Sequence, residues 1–303
     1  MDTATGFHEG ELAVQEKAGV RAEAQRLSGM LAPADLTGGA GKFLAAQRLL
    51  VLTARDDSGR LWASPLSGPS GFLEGIGTAL EIAAAPAGTD PLAGLPAAQC
   101  VGLIAIEYET RRRLRVNGTL STVDQHRLRV DVEQAYGNCP QYIRRRHVVS
   151  GGGVLAPGET AVRGTSLTSH HADSIWRVVT FFLGTAHPSR GVDASHRGGP
   201  PGFVRVDGRR LWWPDYPGNN MFNSLGNLAV DDTAALLFLD FTTGATLHLS
   251  GTASVEWAWP DVAADAAETG RRVTFSLDAV TETRGLGVRE AYPTEAPHAG
   301  GNP

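Results

Sequence analysis

Apolar and β-branched residues along this chain fall in short runs broken by Gly, Pro, Asn and Asp, the pattern of a protein built from strands. RLLVLTAR (48–55), the turn DDSGR and LWASPLS (61–67) read as a hairpin. GFLEG and TALEIAAAP follow, and then QCVGLIAIEYE (99–109), RRRLRVNGTLSTV (111–123) and HRLRVDVEQAY (126–136) read as strands. AYGNCPQYIRRRHVV closes this part of the chain with a short helix or turn. Many short strands with little helix predict a barrel or sandwich.

Residues 150–168 are rich in Gly, Ser, Thr and Pro and read as a linker. SHHADSIWRVVTFFLGTA (169–186) then reads as a capped helix running into a strand, and the β pattern restarts. The restart is a repeat. SGRLWASPLSGPSGFL (58–73) lies on SRGVDASHRGGPPGFV (189–204) with seven of sixteen positions identical. VGLIAIEYETRRRLRVNGT (101–119) lies on AALLFLDFTTGATLHLSGT (234–252) with matching apolar alternation and a shared final Gly-Thr. A repeat of this length means duplicated domains; solenoid periods are about 20–50 residues. The expected organisation is an N-terminal arm (1–42), a first domain (43–149), the linker (150–168), a second domain (169–280) and a flexible tail (281–303).

The copies differ in their polar residues. Pro65 and Leu66 become His196 and Arg197, and AAAPAGTDPLAGL becomes PDYPGNNMFNSLGNL. Conversely, Arg111, Arg112, Arg113 and Arg115 stand where the second copy has Gly244, Ala245, Thr246 and His248. One functional site kept and one lost is the expectation, with the second copy holding the ligand.

Composition narrows the class. Of 303 residues, 42% are hydrophobic and 19% charged, as in a globular chain, and the net charge of −5 argues against general nucleic-acid binding. No apolar run approaches the roughly 20 residues that span a bilayer, and the start lacks the features of a signal peptide, so a cytoplasmic location is expected. Cys100 and Cys139 lack metal or disulfide-framework spacing and read as buried, reduced packing residues. His8, Glu9 and Glu11 have ligand chemistry but read as a polar helix start, and no metal site is expected. No nucleophile elbow, phosphate loop or dinucleotide fingerprint is present.

The second half resembles the pyridoxamine 5'-phosphate oxidase-like family of flavin-binding split barrels through GVDASHRGGPPGFVRV, WWPDYPGNN, SLGNL, LLFLDF and LHLSGTA. The first half resembles it through GRLWASPLSGPSGF, VGLIAIE, RVNG and NCPQYI. The resemblance implies a mainly β fold with short helices: two tandem FMN-binding-type split barrels forming an intramolecular pseudo-dimer, with FMN in the groove between them. Members include flavin oxidoreductases, deazaflavin enzymes and haem-handling proteins, so fold does not fix the reaction. An Arg- and Lys-rich phosphate strand like that of the vitamin-converting oxidases is missing. The implied function is an FMN-dependent oxidoreductase acting on a small molecule, with a possible separate reductase or electron donor, as a monomer or homodimer. The alternatives are a non-catalytic flavin or haem carrier, a deazaflavin protein, and a flavin-free interaction protein.

A flavin mononucleotide needs cationic and N–H donors for its phosphate, an apolar slot for its ring and donors at its reactive edge. On this resemblance Asn219 and Asn220 in the PGNN turn, with Ser224 at a helix start, serve the phosphate; an ordinary Pro-Gly turn is the competing reading. Ser195 and Arg197 are donors to phosphate or ring, or else Arg197 pairs with Asp193. His196 is the candidate catalytic residue, as proton donor, with haem ligation and a structural role as alternatives. Trp213 walls the ring or packs the core, and Asp215 reads as a turn acceptor. Arg113 and Arg115 share one strand face, and Arg145 lies in the Arg144–Arg146 run. They form either a cationic strip completing the other barrel's site or a solvated face.

Overall fold

Two antiparallel sheets, one from each half of the chain, share one strand order. The first contains β1 (Leu49–Arg55), β2 (Leu61–Ser67), β3 (Leu73–Ile76), β4 (Ala79–Ile82), β5 (Gln99–Glu107), β6 (Arg112–Val123) and β7 (Leu128–Gly137). After β8 (Val148–Ser150) and β9 (Val162–Gly164), the second contains β10 (Thr180–His187), β11 (Gly191–Gly198), β12 (Arg205–Asp207), β13 (Arg210–Pro214), β14 (Thr233–Leu239), β15 (Thr246–Trp257) and β16 (Arg271–Thr283). The orders are β2-β1-β5-β6-β7-β4-β3 and β11-β10-β14-β15-β16-β13-β12, so each strand of one copy has its counterpart nine labels on. The helices are α1 (Glu9–Lys17), α2 (Arg21–Gln25), α3 (Gly39–Ala45), α4 (Ser169–Arg177) and α5 (Asn223–Leu228). This computed structural model describes residues 6–31, 34–86, 88–137, 140–150, 161–258 and 269–291.

The central strands are apolar on both faces because each face meets a different core. In β1, Leu50, Leu52 and Ala54 enter the core of the first barrel, while Leu49 and Val51 enter a separate cluster at the seam. In β10, Phe181 and Leu183 pack inside the second barrel, while Phe182 and Ala186 reach the seam. A strand side-chain period of two assigns alternate residues to the two cores, and the result reads as a continuous apolar run.

The seam is reciprocal. β11 packs on β5 and β2 on β14; β11 packs on β6 and β2 on β15. The equivalent residues Thr53 and Gly184 meet each other: a Cβ on Gly184 would stand 2.4 Å from Thr53 Cγ2. A Cβ on Gly102 would lie 2.6 Å from the Asp193 carbonyl carbon, so the strands approach with no room for a side chain. Contact between equivalent residues is the mark of a twofold, self-complementary interface, here within one chain.

Three expectations need correction. The tail does not begin at Thr281: β16 runs to Thr283 and β17 (Val288–Glu290) pairs with β8, because Leu286 and Val288 are apolar and bury in the seam. Residues 259–268 and 292–303 lie outside the described residues. Within the expected linker, Val162–Gly164 adds to β16, while 151–160 lie outside the described residues. Cys100 is exposed, not buried, since it sits at the open end of β5; Cys139 lies outside the described residues. Among the described residues, no helix is long and apolar enough to cross a membrane.

Candidate functional site

The two barrels leave a cleft of about 100 Å³ at one end of the seam. The second barrel supplies His196 and Arg197 from β11, Trp213 from β13, and the loop Asp215–Asn220 that leads into α5. The first barrel supplies Arg113 and Arg115 from β6 and the segment Gln141–Tyr142. Tyr142 stacks on Tyr216 with ring centroids 5.2 Å apart, so the two halves meet across the cleft as well as beneath it. The solvated-face reading of Arg113 and Arg115 does not hold.

Arg197 is poorly compensated. One of its terminal nitrogens lies 3.4 Å from Asp215 Oδ1, and its buried Nε has no hydrogen-bond partner among the described residues. Asp215 is shared with Arg271, whose Nε donates to Oδ2 at 2.9 Å. Burial, only partly offset by Asp215, lowers the Arg197 pKa. Two guanidinium groups thus share one carboxylate at the cleft, with Arg113 as a third cation on the opposite wall. Asp215, expected as a turn acceptor, is the anchor of this arrangement.

Arg115 is neutralised. Its terminal nitrogen donates to both carboxylate oxygens of Asp193 at 3.0 Å, with both side chains under a tenth exposed. Ser224 Oγ donates to Asp193 at 2.9 Å and lies 3.0 Å from Ser195 Oγ, which donates to the Leu183 carbonyl. Asp193 therefore pairs with Arg115 across the seam, and Arg197 pairs with Asp215. Ser195 is fully buried behind the cleft wall, and both serines hold the Asp193 network.

His196 is 5% exposed and both ring nitrogens are engaged. Nδ1 faces an Arg113 terminal nitrogen at 3.3 Å, and Nε2 faces Thr180 Oγ1 at 3.3 Å. A guanidinium has no acceptor, so Nδ1 accepts and Nε2–H donates. Burial first, then Arg113, Arg197, Arg115 and Arg146, push the imidazole pKa well below its ordinary value. His196 is a member of the cleft wall whose two ring nitrogens are both engaged.

The PGNN turn lines the cleft. Asn219 Oδ1 accepts from the Met221 N–H at 3.2 Å, and Asn220 is left-handed at φ 61°, so the turn geometry and the cleft position coexist. The helix that follows has six residues, and Phe222, itself left-handed, precedes it without a side-chain cap. Trp213 is a core residue, edge-to-face on Phe181 at 4.9 Å; it borders the cleft and its Nε1 has no partner among the described residues. Arg145 is exposed and does not border the cleft; its run has no strand or helix period to aim it.

The equivalent place in the first barrel is filled. DPLAGL (90–95) stands for NSLGNL (223–228), on a connection two residues shorter, and Leu92 and Leu95 are buried there. Asp90 accepts from Ser64 Oγ at 2.6 Å, and His248, the counterpart of Arg115, lies 4.0 Å from Asp90. Burial raises the Asp90 pKa and lowers that of His248.

Behind the cleft, the arm contributes residues that sequence reading left out. α1 packs on α5: Gln15 donates to the Met221 carbonyl, and Asn223, which borders the cleft, donates to Glu11 at 2.5 Å. Burial raises the Glu11 pKa to about 7. A carboxyl raised in the fold contributes most at low pH and loses that contribution as pH rises through the folded value. Glu11→Gln should therefore gain in stability on the parent protein as pH rises from about 4.5 to about 7, and no further, in denaturation midpoints across that range. A constant difference between the two proteins would show that Glu11 is not shifted.

His8, Glu9 and His187 are the group among the described residues whose ligand atoms come together as at a metal site, within 4.8 Å of one another. Each imidazole accepts backbone N–H at Nδ1: His8 from Gly10, His187 from Ser189 and Arg190. A neutral ring then carries its proton on Nε2, the atom a metal would need. The cluster is a helix cap at His8 and a hydrogen bond between His187 Nε2 and Glu9.

Residues 167–277 match the family model described as pyridoxamine 5'-phosphate oxidase. No match is found among curated proteins. Similar solved structures include a Lactobacillus delbrueckii protein named for the pyridoxamine 5'-phosphate oxidases, at 18% identity over 39% of this chain and 94% of that one, with a TM-score of 0.32. HupZ of Group A Streptococcus is 13% identical over 38% of this chain and 92% of its own, with a TM-score of 0.29. The FAD binding protein of Mycobacterium smegmatis is 16% identical over 40% and 98%, with a TM-score of 0.28.

Proposed function

We propose, from the premise that the second half of this chain is a pyridoxamine 5'-phosphate oxidase-like domain, that the protein binds a flavin in the cleft between its two barrels. FMN fits the donor set best: one phosphate at the Arg197 and PGNN end, and the planar ring toward Trp213 and the seam. The observation carrying this is Arg197, a partly buried cation whose buried Nε has no partner among the described residues and whose one carboxylate is shared with Arg271. An anion completes that arrangement; an apolar ligand leaves it unsatisfied. The free space of about 100 Å³ takes only part of the ligand, so on this reading the Tyr142–Tyr216 stack that spans the cleft must part to admit the rest. Haem fits poorly, because His196 would have to release Arg113 or Thr180 to offer a nitrogen.

A bound flavin supplies hydride or electron transfer to a small molecule. The protein's own residues bind and orient: Arg197 and the Asn219–Asn220 turn hold the anionic end, and Arg113 places positive charge on the facing wall. His196 fixes Arg113 through Nδ1. A carrier without turnover is favoured by one observation: both ring nitrogens of His196 are engaged, by Arg113 and Thr180.

The test is the visible spectrum of freshly purified protein, followed by mass measurement of what heat releases. A yellow protein releasing FMN is expected, and Arg145→Ala should retain as much as the parent protein. Colourless protein that leaves added FMN unbound would sink the reading; turnover with nicotinamide donors separates enzyme from carrier.

A further inference from the structure

We propose a second ligand site, separate from the flavin cleft: a chamber of about 560 Å³ that takes a small amphipathic anion, an apolar body bearing one carboxylate or phosphate. Its volume lies within the range of roughly 300–1,000 Å³ typical of small-molecule sites and exceeds the free space of the cleft. His196 is the partition between the two. It borders the cleft, while its partners Thr180 and Phe182 border the chamber.

The walls combine apolar and polar side chains. Ile175 and Val179 come from α4 and the turn after it, Phe182 from β10, Phe238 from β14, Phe241 from the following hairpin and Leu247 from β15. Four guanidinium groups border the chamber, those of Arg144, Arg146, Arg177 and Arg284, against the carboxylates of Asp240 and Glu282. Both carboxylates are already engaged. Asp240 accepts from the Thr242 and Thr243 backbone and the Thr243 hydroxyl, and Glu282 lies 3.0 Å from His171 Nε2. Arg146 is held by Glu290 at 2.6 Å and lies over the Phe241 ring. Arg144 and Arg284 have no hydrogen-bond or ion-pair partner among the described residues. A chamber walled in part by aliphatic and aromatic side chains, with half-buried Arg144 and exposed Arg284 at its border, suits a ligand with the complementary division: an apolar body inside and one anionic group at Arg144 and Arg284.

The site does not require the flavin reading, and one set of samples separates them. Full-length protein is titrated calorimetrically with naphthoate, decanoate and naphthyl phosphate, with inorganic phosphate and naphthalenemethanol as controls carrying only one feature. At least one amphipathic anion should bind more tightly than either control by about tenfold or more, a difference of about 1.4 kcal/mol. The carboxylate and phosphate arms identify the preferred head group. Arg144→Ala with Arg284→Ala should weaken that probe by about tenfold. Ser174→Trp, on the chamber side of α4, should abolish binding by filling the space while leaving every charge in place. Visible absorbance of the same samples reports flavin retention independently. The proposal is overturned if no amphipathic anion outbinds the controls. It is equally overturned if Ser174→Trp binds like the parent protein, or if the probe displaces bound flavin and so shares its site.

Discussion

Asp193→Ala is expected to destabilise the fold by about 3–5 kcal/mol, because it leaves the Arg115 guanidinium buried and uncompensated at the seam. Arg115 comes from β6 of the first barrel and Asp193 from β11 of the second, and both are under a tenth exposed. The Nε of Arg115 already has no hydrogen-bond partner among the described residues. The loss extends beyond one pair, since Ser224 at the start of α5 also hangs on Asp193. Denaturant midpoints at an unchanged slope measure the effect. Asp193→Asn keeps the hydrogen bonds without the charge and should fall between parent and alanine. Arg115→Met with Asp193→Leu should recover most of the loss, as apolar replacement of a buried pair commonly does. An alanine variant within about 0.5 kcal/mol of the parent, the spread of ordinary surface changes, would mean the pair contributes nothing at the seam.

The strands and the duplication were legible because both are local patterns. An apolar run ended by DDSG specifies a hairpin, and two ungapped matches in one order specify a repeat. The same reading brought Arg113, Arg197, Asn219 and Asn220 to one cleft, because it asked where the copies differ. What it missed depends on distance along the chain. Asp193 was offered to Arg197, four residues away, but its partner is 78 residues off in the other barrel. Glu11 joined a helix start, and nothing local says that this helix docks on α5. Arg145 was preferred within its run although no element period exists there; its neighbour Arg146 is the one held at the junction, by Glu290. Ser195 shares a strand face with Asp193 and Arg197, yet α5 covers it, and a strand pattern cannot show what a later helix covers.

Arg197→Ala should weaken FMN by about 10–100-fold, the loss of a charge-assisted contact worth about 1.5–3 kcal/mol. It should leave riboflavin, which lacks the phosphate, nearly as before. The contrast follows from the site: Arg197 is the cation at the PGNN end whose carboxylate is shared, so an incoming phosphate takes up an interaction the protein does not complete. Arg197→Lys should recover only part of the affinity, since a point charge restores attraction but not the planar fork. Thermal midpoints should move little, because removing a poorly compensated cation relieves Asp215 of one of two partners. Equal weakening of FMN and riboflavin would put Arg197 against the ring or in the fold. Loss of neither would move the phosphate away from β11 altogether, and the net positive cleft would then need another anion to explain it.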